Sequence, residues 1–195
     1  PGRWVYPLEP RPAVRVEAWQ DGAVNRIRLL EADDAEALAA VLVRSREFLE
    51  PWEPVRPDHY FTVAGQSEVI ADSLRRHAEG TLLPQVILDE AGAVVGRINL
   101  NNIVRGPFQS ASVGYWLAQE AGGRGLATAA VAEIVRVAFA EQGLHRVEAG
   151  TIPENFRSQM VLRHNGFTQF GYAPRYLNIA GTWADHLLFQ KLADD

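Results

Sequence analysis

The runs LPQVILD, AVVGRINLNN and SASVGYWLA follow one another directly, separated only by EAG and VRGPFQ. Each has the composition of a strand, and joins that short and turn-rich make the three an antiparallel meander. The elements on either side must pack onto that meander. Before it, VNRIRLL alternates as a strand, and DDAEALAAVLVRSREF spaces Leu38, Val41, Leu42 and Phe48 along one helical face. Asp33 and Glu36 stand there at capping-box spacing. EPWEPVRPD breaks that helix with its prolines, and a second helix is predicted over residues 62–79, ending at Gly80. After the meander, a helix over residues 124–142 stops at Gly143, HRVEAGTI reads as a strand, and ENFRSQMVLRHN as a short helix closed by Gly166. TQFGYAPRYL and TWADHLLFQKL then form a hairpin turning between Asn178 and Thr182. About seven strands and about four helices in that order give an α/β (α+β) chain: a mixed, mostly antiparallel sheet with helices on it.

The chain has 195 residues, 47% of them hydrophobic, enough for one sizeable core without cross-links. Residues 1–23 are rich in proline and tryptophan without periodicity and read as an extended arm; residues 24–195 read as a single domain. With no cysteine, a disulfide framework, a thiolate zinc site and a cysteine nucleophile are all excluded. The composition suits a reducing cytoplasm. No run approaches the ~18 apolar residues of a membrane helix, and PGRWVYPLEP lacks the apolar core of a secretion signal. A net charge of -5 is the wrong sign for a chain that binds nucleic-acid phosphates. No histidine cluster has metal-ligand spacing and no Ser-His-Asp elbow is present, so no metal is expected.

Chemistry concentrates in EAGGRGLATAAV, where glycines lead into the third helical pattern. A glycine-rich loop before a helix offers unpaired N–H groups and the positive end of the helix dipole, and its ordinary ligand is a phosphate. A nucleotide P-loop is excluded, because Gly125 is followed by Leu126 and Ala127 rather than by Lys and Ser or Thr. A dinucleotide fingerprint keeps some support from the Gly123–Gly125 spacing and from Glu148, but its third small residue is Thr128. A plain glycine turn is the third reading. Further on, Asn155 and Ser158 stand three apart at a helix start, so Asn155 caps the helix and both side chains reach one side.

GYWLAQEAGGRGLATAAV, followed by LHRVEAGTIPENFRSQMVLRHNGFTQFGYAPRYLNIAGTWADHLLF, resembles the GCN5-related N-acetyltransferases (GNAT), and more narrowly their RimJ/RimL-like ribosomal-protein-alanine N-acetyltransferase branch. The resemblance covers residues 24–192 and is strongest over 113–188. It implies the GNAT fold, with acetyl-CoA in a splay between strands four and five. It implies that Trp116 and Leu117 hold the pantetheine arm through backbone bonds, that Gly122, Gly123, Arg124, Gly125, Leu126 and Ala127 wrap the pyrophosphate, and that Thr128, Asn155 and Ser158 assist. It implies a strand bulge near Trp116 whose N–H polarises the thioester carbonyl. Three positions depart from the family pattern: Gly122 replaces the usual Gln or Arg, Leu162 the tyrosine acid of many relatives, and Arg175 the carboxylate of the RimL-like branch. Ser158 matches the serine proposed in that branch to protonate the thiolate.

Acyl transfer to an amine needs a neutral amine, a polarised carbonyl and a stabilised thiolate. An α-amine titrates near ~7.7–8.0 and needs a weaker base than a lysine near ~10.4, so the lack of an obvious strong base favours an N-terminal amine. Glu148, alternating on its strand, and Glu53, in the proline-rich loop, are the base candidates; either also reads as an ordinary ion-paired glutamate. Trp52, Glu53, Asn99, Tyr176 and Trp183 are the candidate acceptor pocket, whereas Tyr115 reads as core. Asp185 and His186 read as a hydrogen-bonded pair, more simply structural than catalytic. The expectation is acetylation of a primary amine by direct attack, first of a protein N-terminus beginning with alanine or serine. Small amines, and a CoA-binding sensor without turnover, are the alternatives. Neither a nucleic acid nor a membrane is an expected partner, and a homodimer is expected from relatives only.

Overall fold

The structure is a computed structural model that describes residues 26–194; the arm expected over 1–23 lies outside them. Among the described residues there are seven strands: β1 (Ile27–Leu29), β2 (Leu83–Leu88), β3 (Val94–Val104), β4 (Ser110–Leu117), β5 (Arg146–Thr151), β6 (Thr168–Ile179) and β7 (Thr182–Leu192). Five α-helices accompany them: α1 (Ala35–Arg44), α2 (Arg46–Leu49), α3 (Val63–Ala78), α4 (Leu126–Arg136) and α5 (Phe156–His164). The sheet order is β1-β2-β3-β4-β5-β7-β6, with every pair antiparallel except β4 and β5. The meander, the last hairpin and the helix over 62–79 stand where the sequence places them.

Three local expectations are corrected. The first helix is interrupted at Ser45, whose φ of -100° leaves the helical region, so the pattern over 33–48 becomes α1 and α2. Its capping pair also lies two residues earlier: the Asp34 carboxylate accepts from the Glu31 N–H at 2.8 Å, and Arg28 donates to the same carboxylate. Asp33 and Glu36 do not form the box, because Asp34 is the acid turned inward. The long fourth helix keeps its length but not its pitch. After Arg136 it widens over Val137–Glu141, where the Gln142 N–H reaches back five residues to the Val137 carbonyl at 2.9 Å.

Alternation sorts the sheet into two faces. Val86, Arg97 and Trp116 are cross-strand neighbours on one face, where Leu30, Ala35, Leu38, Ile70 and Val86 form a small core under α1 and α3. Ile98 and Tyr115 pair on the opposite face, in the larger cluster with Ala130, Val131, Ile134, Leu162 and Phe189. Completely buried Ile98, Ile134 and Phe189 each contribute roughly 1.5–3 kcal/mol by leaving water.

β4 and β5 are joined only from Ser110–Arg146 to Ser112–Glu148. Beyond that vertex β4 stays with β3 as far as the Gly96–Leu117 pair, while β5 stays with β7 as far as Thr151–Leu187. The two half-sheets therefore separate. Burial along β4 falls at the same point: Ser110, Ala111 and Val113 are buried, and everything from Gly114 to Leu117 is half-buried.

Gly96 holds the rim of this opening, because a Cβ there would lie 2.4 Å from the Trp116 carbonyl oxygen. Gly96→Ala is expected to lower stability by about 1–3 kcal/mol in urea unfolding, the usual cost of overpacking. An unchanged midpoint would show that β3 and β4 can part without loss.

Candidate active site

At the open end of β4 a short turn leads into the glycine loop. Gly123 and Gly125 both have φ of +76°, with open space around each, so backbone conformation rather than crowding selects glycine. Gly122 differs: its φ of -69° suits any residue. Gly125 caps α4 without a side chain, and the first bond into the helix runs from the Ala129 N–H to the Gly125 carbonyl at 2.9 Å. The amides of Leu126, Ala127 and Thr128 are thus the first-turn donors that a helix leaves over, at the positive end of its dipole. Arg124 folds back, its guanidinium donating to the Glu120 carbonyl at 3.2 Å.

α5 begins on the far side of the splay. Asn155 caps it, its Oδ1 accepting from the Ser158 N–H at 3.1 Å as the spacing predicts. The Ser158 hydroxyl meets the Tyr115 hydroxyl at 2.9 Å, a contact that the sequence reading missed by assigning Tyr115 to the core. Burial pushes the Tyr115 phenol up to about 12, against the opposing effect of its Ser158 bond, so it holds its proton throughout the physiological range. The only early sign was the alternation of SASVGYWLA, which puts Tyr115 on the face opposite Gly114 and Trp116.

The other face carries a cavity of about 560 Å³ between α3 and strands β3 and β4. Arg97, Asn99 and Asn101 alternate along its floor, Gly114 and Trp116 stand beside them, and Glu53, Arg56 and Tyr60 close one side. Exposed Glu68 and Asp72 of α3 mark its rim. A second cavity of about 440 Å³, more apolar, lies against Leu42, Leu49, Pro54 and Phe61 and shares Glu53, Arg56, Tyr60 and Trp116 with the first. Glu53 thus stands between the two, 3.5 Å from Arg56. Burial raises its carboxyl above the usual range, while Arg56 and the more distant Arg97 pull it back. Its backbone carbonyl accepts from the Ala180 N–H at 3.0 Å, which ties the proline-rich loop to the β6–β7 turn. Arg97, Arg56 and Tyr60 were missed in the sequence, although GRINLNN sets polar residues at alternate positions of an otherwise apolar central strand.

The remaining candidates are dispersed. Glu148 sits at the vertex opposite Ser112, but its carboxylate is taken by Arg146 at 2.6 Å, and that guanidinium lies over the Phe170 ring. Of the five acceptor-pocket residues, Glu53 and Asn99 line the larger cavity. Trp52, Tyr176 and Trp183 line neither cavity. Trp52 is 37% exposed at the end of a single 3-10 turn, and Trp183 is 64% exposed near the tip of the β6–β7 hairpin. Tyr176 packs its ring against His186. Asp185 accepts from the Tyr172 hydroxyl and the Arg175 N–H, and His186 contacts the Ala184 carbonyl, so these two are not bonded to each other. Arg175 itself has φ of +50° at a β-bulge. The bulge expected near Trp116 is not there. The β3–β4 ladder is regular from Gly96–Leu117 to Asn101–Ser112, and its irregularity falls beyond Asn101, where Asn102 has φ of +51°.

A strand edge released from pairing, ending in a glycine loop and a free helix N-terminus, matches a known architecture. The acetyltransferase (GNAT) domain family model matches residues 26–168. The chain belongs to the GNAT acetyltransferases. Within this family it is 35% identical over 175 residues to the probable N-acetyltransferase YjcK of Bacillus subtilis, covering 89% of this chain and 97% of that one. It is 34% identical over 163 residues to the ribosomal protein uS5-alanine N-acetyltransferase of Escherichia coli, covering 83% and 84%. Among solved structures, RimJ of Mycobacterium smegmatis in complex with CoA-disulfide aligns with a TM-score of 0.83, at 35% identity over 86% of this chain and 81% of that one. Seen as a GNAT enzyme, the chain sets a protonated Tyr115–Ser158 pair on one face of the splay and a polar cavity on the other.

Gly125→Asp tests the loop. A Cβ at this position meets no atom within 4 Å, and aspartate tolerates the left-handed region better than most residues, so folding should persist. A carboxylate at the helix N-terminus should repel a pyrophosphate and weaken CoA binding by at least about tenfold, roughly 1.4 kcal/mol, in calorimetric titration. Unchanged affinity in the folded variant would place the phosphates elsewhere.

Proposed function

We propose that this GNAT enzyme transfers the acetyl group of acetyl-CoA to the α-amino group of a protein N-terminus, beginning with alanine or serine. The observation that carries the reading is the position of Glu53, a carboxylate with a raised pKa in a cavity that meets the splay at Trp116. The similarity to a ribosomal protein uS5-alanine N-acetyltransferase over most of both chains supports a protein N-terminus as the acceptor.

In this reading the released edge of β4, through Trp116 and Leu117, hydrogen-bonds the pantetheine arm. The loop Gly122–Ala127 with Thr128 receives the pyrophosphate on backbone N–H groups, and Asn155 fixes Ser158 by capping α5. The neutral α-amine enters from the cavity face; its nitrogen bonds to the thioester carbon and its surplus proton passes to Glu53, directly or through water, as the C–S bond breaks. The sulfur takes a proton from Ser158, and Tyr115, 2.9 Å away, relays a solvent proton back to that hydroxyl so that both end the cycle protonated. Acid and base on opposite faces need not compete for one proton. Glu148, ion-paired with Arg146, is left out of this scheme.

The experiment is acetylation of peptides beginning with Ala or Ser, read by mass spectrometry, with the same peptides N-terminally blocked as controls. Modification of the α-amine alone supports the reading; transfer only to lysine, or none, contradicts it. For the pH dependence, a base acts only when ionised, so kcat/KM should rise through the raised pKa of Glu53 and level off once the amine, near ~7.7–8.0, is neutral. Glu53→Gln should remove the lower rise and cost about 10²–10⁴-fold in kcat/KM. A variant that keeps both would move the base elsewhere.

A further inference from the structure

The floor of the larger cavity holds a charge that the transfer scheme leaves unused. Arg97 is only 6% exposed. Among the described residues its one hydrogen bond is from Nη2 to Ser73 Oγ at 3.3 Å, and its Nε meets no acceptor. Of the acidic groups whose fields reach it, the Tyr60 phenol makes no hydrogen bond to it, and the Asp34 and Glu53 carboxylates are engaged with Arg28 and Arg56. A buried guanidinium with idle donors is costly unless something supplies acceptors. Next along the same face, Asn99 has a buried Oδ1 that likewise lacks a partner. Opposite Asn99 on β4 stands Gly114, which brings no side chain over either residue. The result is a strong donor with hydrogen-bonding capacity to spare on the floor of a cavity whose side wall carries Glu53.

We propose that Arg97 donates to the carbonyl oxygen of the acceptor's first residue, so that the cavity selects an amine with a carbonyl next to its α-carbon over a plain alkylamine. The proposal rests on the N-terminal reading above. In an N-terminal residue that oxygen is three bonds from the nucleophilic nitrogen, so holding one positions the other within a few ångströms. A charged donor in a site shielded from water binds a carbonyl more strongly than a neutral one does. A lysine side chain presents its amine at the end of a methylene chain and leaves Arg97 unanswered, which penalises it as an acceptor.

The test compares an Ala-initial peptide with its analogue in which a trans-alkene replaces the first peptide bond, in wild type and in Arg97→Met. Wild type should acetylate the alkene analogue roughly 10- to 100-fold less efficiently in kcat/KM, mainly through KM. Arg97→Met should lose a similar factor on the peptide and show no further loss on the analogue, with CoA affinity and melting temperature kept. Arg97→Met replaces a buried ion by an apolar chain of similar length, a change that often preserves folding. If it does not fold, Arg97→Lys, which keeps the charge but loses the planar fork, should show a reduced preference for the peptide. Equal turnover of peptide and analogue by wild type, or an undiminished preference in the folded variants, overturns the assignment while leaving N-terminal acetylation standing. A wild type that acetylates neither substrate at its α-amine overturns the N-terminal reading and this proposal with it.

Discussion

Backbone pairing between β4 and β5 ends at Ser112 and Glu148, and the active-site architecture follows from that ending. Next to it, β3 is paired on both sides, with β2 and with β4, so its N–H and C=O groups find partners as a buried backbone must. On one side of β4, from Val113 to Leu117, those groups face an opening instead. The opening persists because each flanking strand has a stronger allegiance: β4 to β3 through Leu117, and β5 to β7 through Thr151. Behind it, completely buried Phe189, Val147 and Ala130 prevent the two half-sheets from closing or drifting apart. The same strand then turns into a loop whose two left-handed glycines aim the start of α4 at the mouth of the opening.

Because alternate residues of a strand face opposite ways, the splay separates two environments. Tyr115 and Ser158 make a pair of hydroxyls on one face, kept protonated by burial of the phenol. Trp116, one residue on, belongs to the other face, with Arg97, Asn99 and Glu53. The space between the strands therefore has a pair of hydroxyls on one side and a polar cavity on the other.

Much of this was legible in the sequence. The meander, the glycine loop, the Asn155 cap and the hairpin each rest on contacts within a few residues, and local spacing carries such information. The break at Ser45 did not show, because apolar periodicity runs through it unchanged. Neither did the inward turn of Asp34, which depends on Arg28 from the preceding strand. Of the residues expected to form an acceptor pocket, only Glu53 and Asn99 line the larger cavity. Aromatic residues in loops drew attention to Trp52, Tyr176 and Trp183, yet the cavity floor is a row of polar residues on β3, visible only once α3 is laid across it. Glu148 had the right strand and register, but its engagement with Arg146 is set by side-chain geometry that alternation does not encode. The bulge near Trp116 came from resemblance alone, and the regular ladder there does not contain it.

We propose that the released edge of β4 and the first turn of α4 form one binding surface for coenzyme A. Amide hydrogen exchange with and without CoA measures it most directly, with NAD as the control ligand. CoA should slow exchange at residues 113–117 and 123–128 together, and NAD should slow neither. Protection confined to the helix turn, or appearing with NAD, would contradict the account.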